Sequence, residues 1–171
     1  LAPALAETHL VSADPSDPGE RVPTVGSSLF DKIFFERDDT GSHYSIPYPL
    51  QKLLERVPGS DRPFVHSLFP FSRSLQRPVD LRYDPLLNPR IVLGSSSGIA
   101  QSKLFIGYVK AVDQLEVISF NDEAGRFEFQ IVKNYSRNPE VYYADRGLCI
   151  SCHQGQSPIF SVGPWADSSL G

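Results

Sequence analysis

The sequence predicts an α+β fold in which short helices precede an antiparallel β-sheet of about four or five strands. Two observations predict it. Apolar residues recur at helical spacing within residues 28–57, whereas residues 90–132 contain short runs rich in β-branched and aromatic residues. The composition agrees, because 40% hydrophobic and 21% charged residues are ordinary for a soluble globular protein.

Residues 1–27 are predicted to form an extended, proline-rich N-terminal arm. The segment contains several residues that favour turns and deny donors to a β-ladder, among them Asp14, Pro15, Asp17, Pro18 and Pro23. The remaining residues, 28–171, are enough for one ordinary hydrophobic core. We therefore expect them to form a single domain.

Two helices are predicted next. In residues 28–35, Ser28 is the expected N-cap, and the apolar side comprises Leu29, Ile33 and Phe34. In residues 47–57, the apolar residues fall at offsets that place them on one stripe, and they are Leu50, Leu53, Leu54 and Val57. Pro58 and Gly59 end the second helix.

Residues 61–89 are too irregular for a regular element, although they are apolar enough to pack. Strands are predicted at residues 90–93, 103–109, 114–120 and 126–132. The polar, glycine-closed segment 121–125 predicts a hairpin between the last two. In the last strand, alternation places Phe127, Phe129 and Ile131 on one side, so we expect one side of the sheet to be buried.

The most specific chemical signal follows the strands. Both cysteines of the chain lie in Cys149-Ile150-Ser151-Cys152-His153, which has the C-x-x-C-H spacing of a c-type haem attachment site. Two thiols two residues apart can reach the two vinyl carbons of one porphyrin edge, and the adjacent histidine can turn under the iron. A zinc site needs four ligands, a thioredoxin-like pair needs a βαβ setting, and a pair of purely structural cysteines remains the third alternative.

On these five residues the sequence resembles the c-type cytochromes. The resemblance implies covalent haem c, proximal ligation of the iron by His153 and maturation outside the cytoplasm. The chain departs from small class I cytochromes in two respects. The motif lies near the C-terminus, after the sheet, and the sequence contains no methionine to act as an axial ligand.

The position of the motif is more similar to that in the β-rich cytochrome P460 and cytochrome c′-β group. In the P460 type a lysine is cross-linked to the haem. The lysines of the predicted strand region are Lys103, Lys110 and Lys133, and no motif distinguishes one of them.

The surroundings of the haem are predicted from residue chemistry. His66 and His43 are the candidate distal ligands, and a position without a protein ligand is the alternative. Tyr135, Tyr142 and Tyr143 precede the motif and are expected to pack, and the alternative is that one of them ligates the iron or hydrogen-bonds a distal ligand. Arg146, three residues before Cys149, is the candidate partner of a haem propionate because a guanidinium matches a carboxylate.

These observations predict a monohaem c-type cytochrome that transfers electrons between extracytoplasmic, for example periplasmic, redox partners. Two alternatives stay open: a haem enzyme or gas-binding protein with an open distal site, and a haem-bearing subunit of a larger redox complex. Ala4-Leu5-Ala6 fits the small-x-small end of a secretory signal. A net charge of −4 argues against nucleic acid as a partner, and no apolar run is long enough to span a membrane.

Overall fold

A six-stranded antiparallel sheet dominates the protein. Its structure, a computed structural model, describes residues 23–39, 41–58, 65–69, 87, 89–94 and 100–144. The helices and strands in chain order are α1 (Leu29–Phe34), β1 (Phe35–Asp38), β2 (Gly41–Tyr44), α2 (Leu50–Glu55), β3 (Val65–Phe69), β4 (Arg90–Gly94), β5 (Leu104–Val109), β6 (Gln114–Asn121), β7 (Arg126–Lys133) and β8 (Glu140–Tyr143). A short 3₁₀ helix, Lys110–Val112, connects β5 to β6.

The strands of the large sheet follow one another in the order β3-β4-β5-β6-β7-β8, and each pairs antiparallel with the next. The antiparallel sheet and the short helices before it are therefore confirmed. The predicted strand number is too low, because β3 and β8 form the two edges. β3 lies within the stretch expected to have no regular element, and that expectation is wrong. Its pairing with β4 is a tertiary interaction that local sequence does not reveal.

Both predicted helices are present and slightly shorter than expected. Ser28 caps α1, since its Oγ accepts a hydrogen bond of 3.1 Å from the backbone N–H of Asp31. In α2, Leu53 is fully buried, while Leu50 and Leu54 pack partly buried against the same core. Between the two helices, β1 pairs antiparallel with β2 in a separate two-stranded ribbon that the sequence did not predict.

The predicted hairpin between β6 and β7 is confirmed. Asn121 Oδ1 accepts hydrogen bonds from the backbone N–H groups of Glu123 (3.1 Å) and Ala124 (3.2 Å), which fixes the start of the turn. Gly125 closes the turn at φ 64°, a conformation that a residue without a Cβ adopts at little cost. This turn sets the register of the two longest strands.

The two sides of the large sheet differ, and the expectation that one side is buried needs correction. Phe129 is 4% exposed, but its neighbours on the predicted side, Phe127 and Ile131, are only partly buried. The intervening residues Glu128, Gln130 and Val132 are at most 1% exposed. Both sides are thus covered, and polar side chains occupy the more deeply buried one.

We call the side of the sheet that carries Glu128, Gln130 and Val132 the helix-covered face. It carries the sheet residues of the main core, which are Leu93, Leu104, Ile106, Leu115, Val117 and Val132. Leu29, Phe30 and Phe34 from α1 and Leu53 from α2 pack on it. Burial of each large side chain contributes roughly 1.5–3 kcal/mol, so this layer is the main source of stability.

We call the opposite side the aromatic face. It carries the smaller cluster of Phe105, Ile118, Phe127, Phe129, Ile131 and Ala144. Among the described residues, this cluster includes none from α1 or α2. The same side of the sheet carries an ion pair of 3.0 Å between Arg90 and Glu116. Gly107 permits it, because a Cβ there would lie 2.8 Å from the Arg90 guanidinium.

No helix in the described part of the chain is both long enough and apolar enough to cross a membrane.

Candidate functional site

The residues predicted to bind haem lie between two and nine residues beyond Ala144, the last described residue. Cys149, Cys152, His153 and Arg146 all lie outside the described residues. The described chain ends with β8 and Ala144, five residues before Cys149. The structure therefore shows the contacts of the chain up to five residues before the motif.

The end of β8 is fixed on both faces of the sheet. Tyr143 is directly opposite Gln130 of β7, and its side chain is 1% exposed on the helix-covered face. The next residue, Ala144, donates its backbone N–H to the carbonyl of Phe129 at 2.7 Å and is 7% exposed. Pairing with β7 thus continues to the last described residue.

A buried carboxylate holds the Tyr143 side chain. Asp31 of α1 is fully buried and accepts hydrogen bonds at both oxygens. Oδ1 accepts from the Tyr44 hydroxyl and from Gln130 Nε2, each at 2.7 Å. Oδ2 accepts from the backbone N–H of Gly26 at 2.9 Å and from the Tyr143 hydroxyl. Four donors from four separate segments therefore satisfy one carboxylate, as burial of a charged group requires.

The two phenols that contact this carboxylate are strongly shifted in pKa. Burial raises the pKa of Tyr143 and of Tyr44 well above the ordinary value of 10.0, and the adjacent negative charge of Asp31 raises both further. Both hydroxyls stay protonated and act only as donors to Asp31 at neutral pH. The site is thus a fixed hydrogen-bond junction between α1, β2, β7 and β8.

Local sequence explains why α1 presents Asp31 at this point. Ser28 caps the helix and Asp31 follows three residues later, a spacing that places a carboxylate in the first turn. The Ser28 hydroxyl also donates to Gln130 Oε1 at 3.0 Å. The same side chains therefore cap the helix and join it to the sheet.

A second buried group continues the network towards the β6–β7 turn. Glu128 is fully buried, and its Oε1 accepts from Arg126 Nε at 2.9 Å and from Asn121 Nδ2 at 3.3 Å. Asn121 Nδ2 also donates to the hydroxyl of Ser27 at 3.2 Å. The segment before α1 is thus tied to the hairpin by polar contacts.

The two candidate distal ligands lie on different parts of the chain. His43 is in β2 opposite Glu36, its side chain is 45% exposed, and its Nδ1 is 3.9 Å from the Asp38 carboxylate. The backbone of His66 lies in β3, opposite Leu93 and at the edge of the sheet remote from β8. The two histidines thus lie in strands of different sheets.

The other residues singled out in the sequence have ordinary contacts. Tyr135 is 1% exposed and donates to the carbonyl of Pro47 at 2.9 Å, so it packs as expected. Tyr142 donates to Glu140. Lys103 Nζ contacts Asp122 at 2.6 Å, and Lys133 Nζ lies 5.0 Å from the centre of the Tyr142 ring. Lys110 is in the short 3₁₀ helix.

No group of three or more histidine, cysteine, aspartate or glutamate side chains suited to a metal ion occurs within the described ranges. The sequence reading missed the junction at Asp31. The Ser28-x-x-Asp31 spacing, a capping-box pattern before an apolar run, was the one local signal for it.

Comparison with known proteins yields no match: no family model, no curated protein and no solved structure is significantly similar to this chain.

Proposed function

We propose that the chain is a monohaem c-type cytochrome that transfers electrons between extracytoplasmic redox partners. Cys149 and Cys152 carry haem c through thioether bonds, His153 is the proximal iron ligand, and Arg146 pairs with a propionate. One observation carries the proposal: the only two cysteines of 171 residues are spaced C-x-x-C and are followed directly by histidine.

The described residues end five residues before Cys149. Tyr143 and Ala144 are held at the end of β8 by hydrogen bonds to Asp31 and Phe129. When bound, a haem supplies a one-electron couple whose potential depends on its axial ligands and surroundings.

The location follows from the chemistry of attachment. Haem c is joined to its cysteines outside the cytoplasm, so the proposed function places the protein in the periplasm or another extracytoplasmic compartment. Its partners are then a redox protein or a larger redox complex in the same compartment.

An optical spectrum tests the proposal. The protein is purified from a host competent in cytochrome c maturation, and spectra are recorded oxidised, reduced, and reduced with carbon monoxide. We expect sharp reduced α and β bands that carbon monoxide leaves unchanged, as for a six-coordinate electron carrier. The Cys149→Ser/Cys152→Ser variant is the control, since it keeps His153 and removes both attachment points.

Two outcomes contradict the proposal differently. A broad high-spin spectrum that shifts with carbon monoxide would assign the chain to the haem enzymes or gas-binding proteins. Absence of haem absorbance from the wild-type protein would show that the protein carries no haem.

A further inference from the structure

A cleft of about 760 Å³ lies between α1, the residues that follow α2 and the turns next to β5 and β6. Small-molecule sites have volumes of roughly 300–1,000 Å³, so the cleft is large enough for a ligand with several polar groups. Leu29, Ile33 and Pro58 supply apolar surface to its wall. The cleft can therefore contact both the carbon atoms and the polar groups of a small molecule.

Basic side chains outnumber acidic ones in this cleft. Lys32, Arg56 and Lys103 line it, whereas Asp122 is the one carboxylate among its lining residues. The chain as a whole carries a net charge of −4, so the local excess of positive charge runs against the overall composition. Cations gathered in a cleft attract anions and raise their local concentration.

Two carboxylates outside the lining also contact these cations. Glu36 accepts a hydrogen bond from Arg56 at 2.8 Å and so offsets the charge of that guanidinium. Glu123 Oε1 is 3.9 Å from Lys32 Nζ, which is too long for a hydrogen bond, and its side chain is 74% exposed. Water screens such a pair, so Glu123 neutralises Lys32 only weakly.

Lys103 and Lys32 act on the same carboxylate. Lys103 Nζ contacts Asp122 Oδ1 at 2.6 Å, and this contact uses one of the three donors of the ammonium group. The hydrogen bond from Lys103 lowers the pKa of Asp122, and the positive charges of Lys103 and Lys32 lower it further. Two ammonium groups thus lie within electrostatic range of one acid, which cannot offset both charges.

Hydrogen bonds fix parts of the cleft wall before any ligand binds. Arg56 donates to the carbonyl of Ser45 at 3.1 Å and to its hydroxyl at 2.9 Å. The Lys103 carbonyl accepts from the backbone N–H of Phe120 at 2.8 Å. Ser102 has φ 56°, a conformation that is uncommon for a residue with a Cβ. Such preorganisation lowers the entropic cost of binding.

We propose that the cleft binds a small organic polyanion, a molecule with at least two carboxylate or phosphate groups. Lys32 and Lys103 donate to its anionic groups, and Arg56 adds positive charge from a fixed position. Leu29 and Ile33 contact its carbon atoms. The proposal goes beyond the proposed function and does not depend on it, because every residue it uses lies in the described part of the chain.

Isothermal titration calorimetry of the wild-type chain at low salt tests the proposal. Citrate is the probe for carboxylate groups and pyrophosphate the probe for phosphate groups. We expect at least one of them to bind. Lys32→Gln/Lys103→Gln should weaken that binding by about tenfold or more, because it removes two charged donors.

A second double variant controls for total charge. Lys110→Gln/Lys133→Gln also removes two positive charges from exposed lysines. Lys110 follows the end of β5 and Lys133 ends β7, at the opposite end of the sheet from the cleft. This variant should bind the probe as wild type does.

Asp122→Asn gives a test of opposite sign. It removes the carboxylate that competes with the ligand for Lys103, so we expect the probe to bind more tightly than it does to wild type. A variant that had lost its fold could not show this gain.

Three results would overturn the proposal, and none of them bears on the haem. The first is that neither citrate nor pyrophosphate binds the wild-type chain. The second is equal weakening by the two double variants, which would show that binding follows total charge and not this cleft. The third is binding to Asp122→Asn that is no tighter than binding to wild type.

Discussion

The helix-covered face carries Glu128, Gln130 and Tyr143 beneath α1, whereas the aromatic face carries Phe105, Phe127 and Phe129. On the first face, buried polar groups find partners in the helix and in the segment before it. On the second, an apolar cluster that includes Ala144, the last described residue, lies on the same side as the Arg90–Glu116 ion pair. The helix-covered face thus joins the sheet to α1 through buried polar groups as well as apolar packing, whereas the aromatic face carries a smaller buried cluster.

The largest predicted effect comes from removing the junction on the helix-covered face. Asp31→Ala leaves four donors without their acceptor, of which the Gln130 amide and the Tyr143 hydroxyl are in buried hydrogen bonds. Each unsatisfied buried donor costs about 1–3 kcal/mol, so we expect the free energy of unfolding, measured in urea, to fall by about 2–6 kcal/mol. Asp122→Ala, at an exposed carboxylate, is the control and should leave the urea midpoint unchanged. A loss below about 1 kcal/mol for Asp31→Ala would contradict the role of the junction.

Separate removal of the two phenols shows how much each contributes to the stability of the helix-covered face. Tyr143→Phe deletes a fully buried donor to a carboxylate, and we expect a loss of about 1.5–3 kcal/mol in urea unfolding. Tyr44→Phe removes the other phenol from the same carboxylate at a less buried position and should cost about 1 kcal/mol. Only Tyr143→Phe alters the strand that leads to the haem motif, so only it should change the haem spectrum. Equal spectral changes in both variants would show that β8 has no special role.

High pH should lower the free energy of unfolding through the buried phenol of Tyr143 on the helix-covered face. The folded state raises the pKa of Tyr143 above the unfolded value of 10.0, so it retains a proton that the unfolded chain releases. The stabilisation that protonated Tyr143 gives the folded state is complete below pH 10 and is lost as pH rises above it. The expected loss is up to about 1.4 kcal/mol per pH unit for each such phenol. Between about pH 9 and pH 11, the free energy of unfolding measured in urea should therefore fall less steeply for Tyr143→Phe than for wild type. Parallel curves for the two proteins would contradict this.

The smallest effect is expected outside both faces. Lys103 and Asp122 are in contact at 2.6 Å, but their side chains are 42% and 50% exposed. Water and salt screen such a pair. Lys103→Ala should leave the urea midpoint and the haem spectrum as they are in wild type. A clear loss of stability that disappears at high salt would show that this pair stabilises the β6–β7 turn.

The elements that the sequence predicts are those with local periodicity. The offsets of Leu50, Leu53 and Leu54 predicted α2, and the polar segment 121–125 predicted the β6–β7 hairpin. The strands β1, β2, β3 and β8 are only four or five residues long, and β3 pairs with β4 more than 20 residues further along the chain. Local pattern carries little information about such strands.

The candidate site also has one part that local sequence predicts and one part that it does not. Spacing alone predicts the haem attachment at Cys149, Cys152 and His153, because the chemistry lies within five residues. The burial of Gln130 could not be predicted from alternation in β7. Its partner Ser28 is 102 residues away in sequence, so the polar side chain is satisfied only after α1 packs on the sheet.

The intact mass of the protein shows whether a haem is covalently attached at Cys149 and Cys152. The wild type and the Cys149→Ser/Cys152→Ser variant are both produced in a host competent in cytochrome c maturation and measured under denaturing conditions. We predict that the wild type exceeds its polypeptide mass by one haem and that the variant does not. A wild-type mass equal to that of the polypeptide alone would contradict the assignment of this chain as a c-type cytochrome.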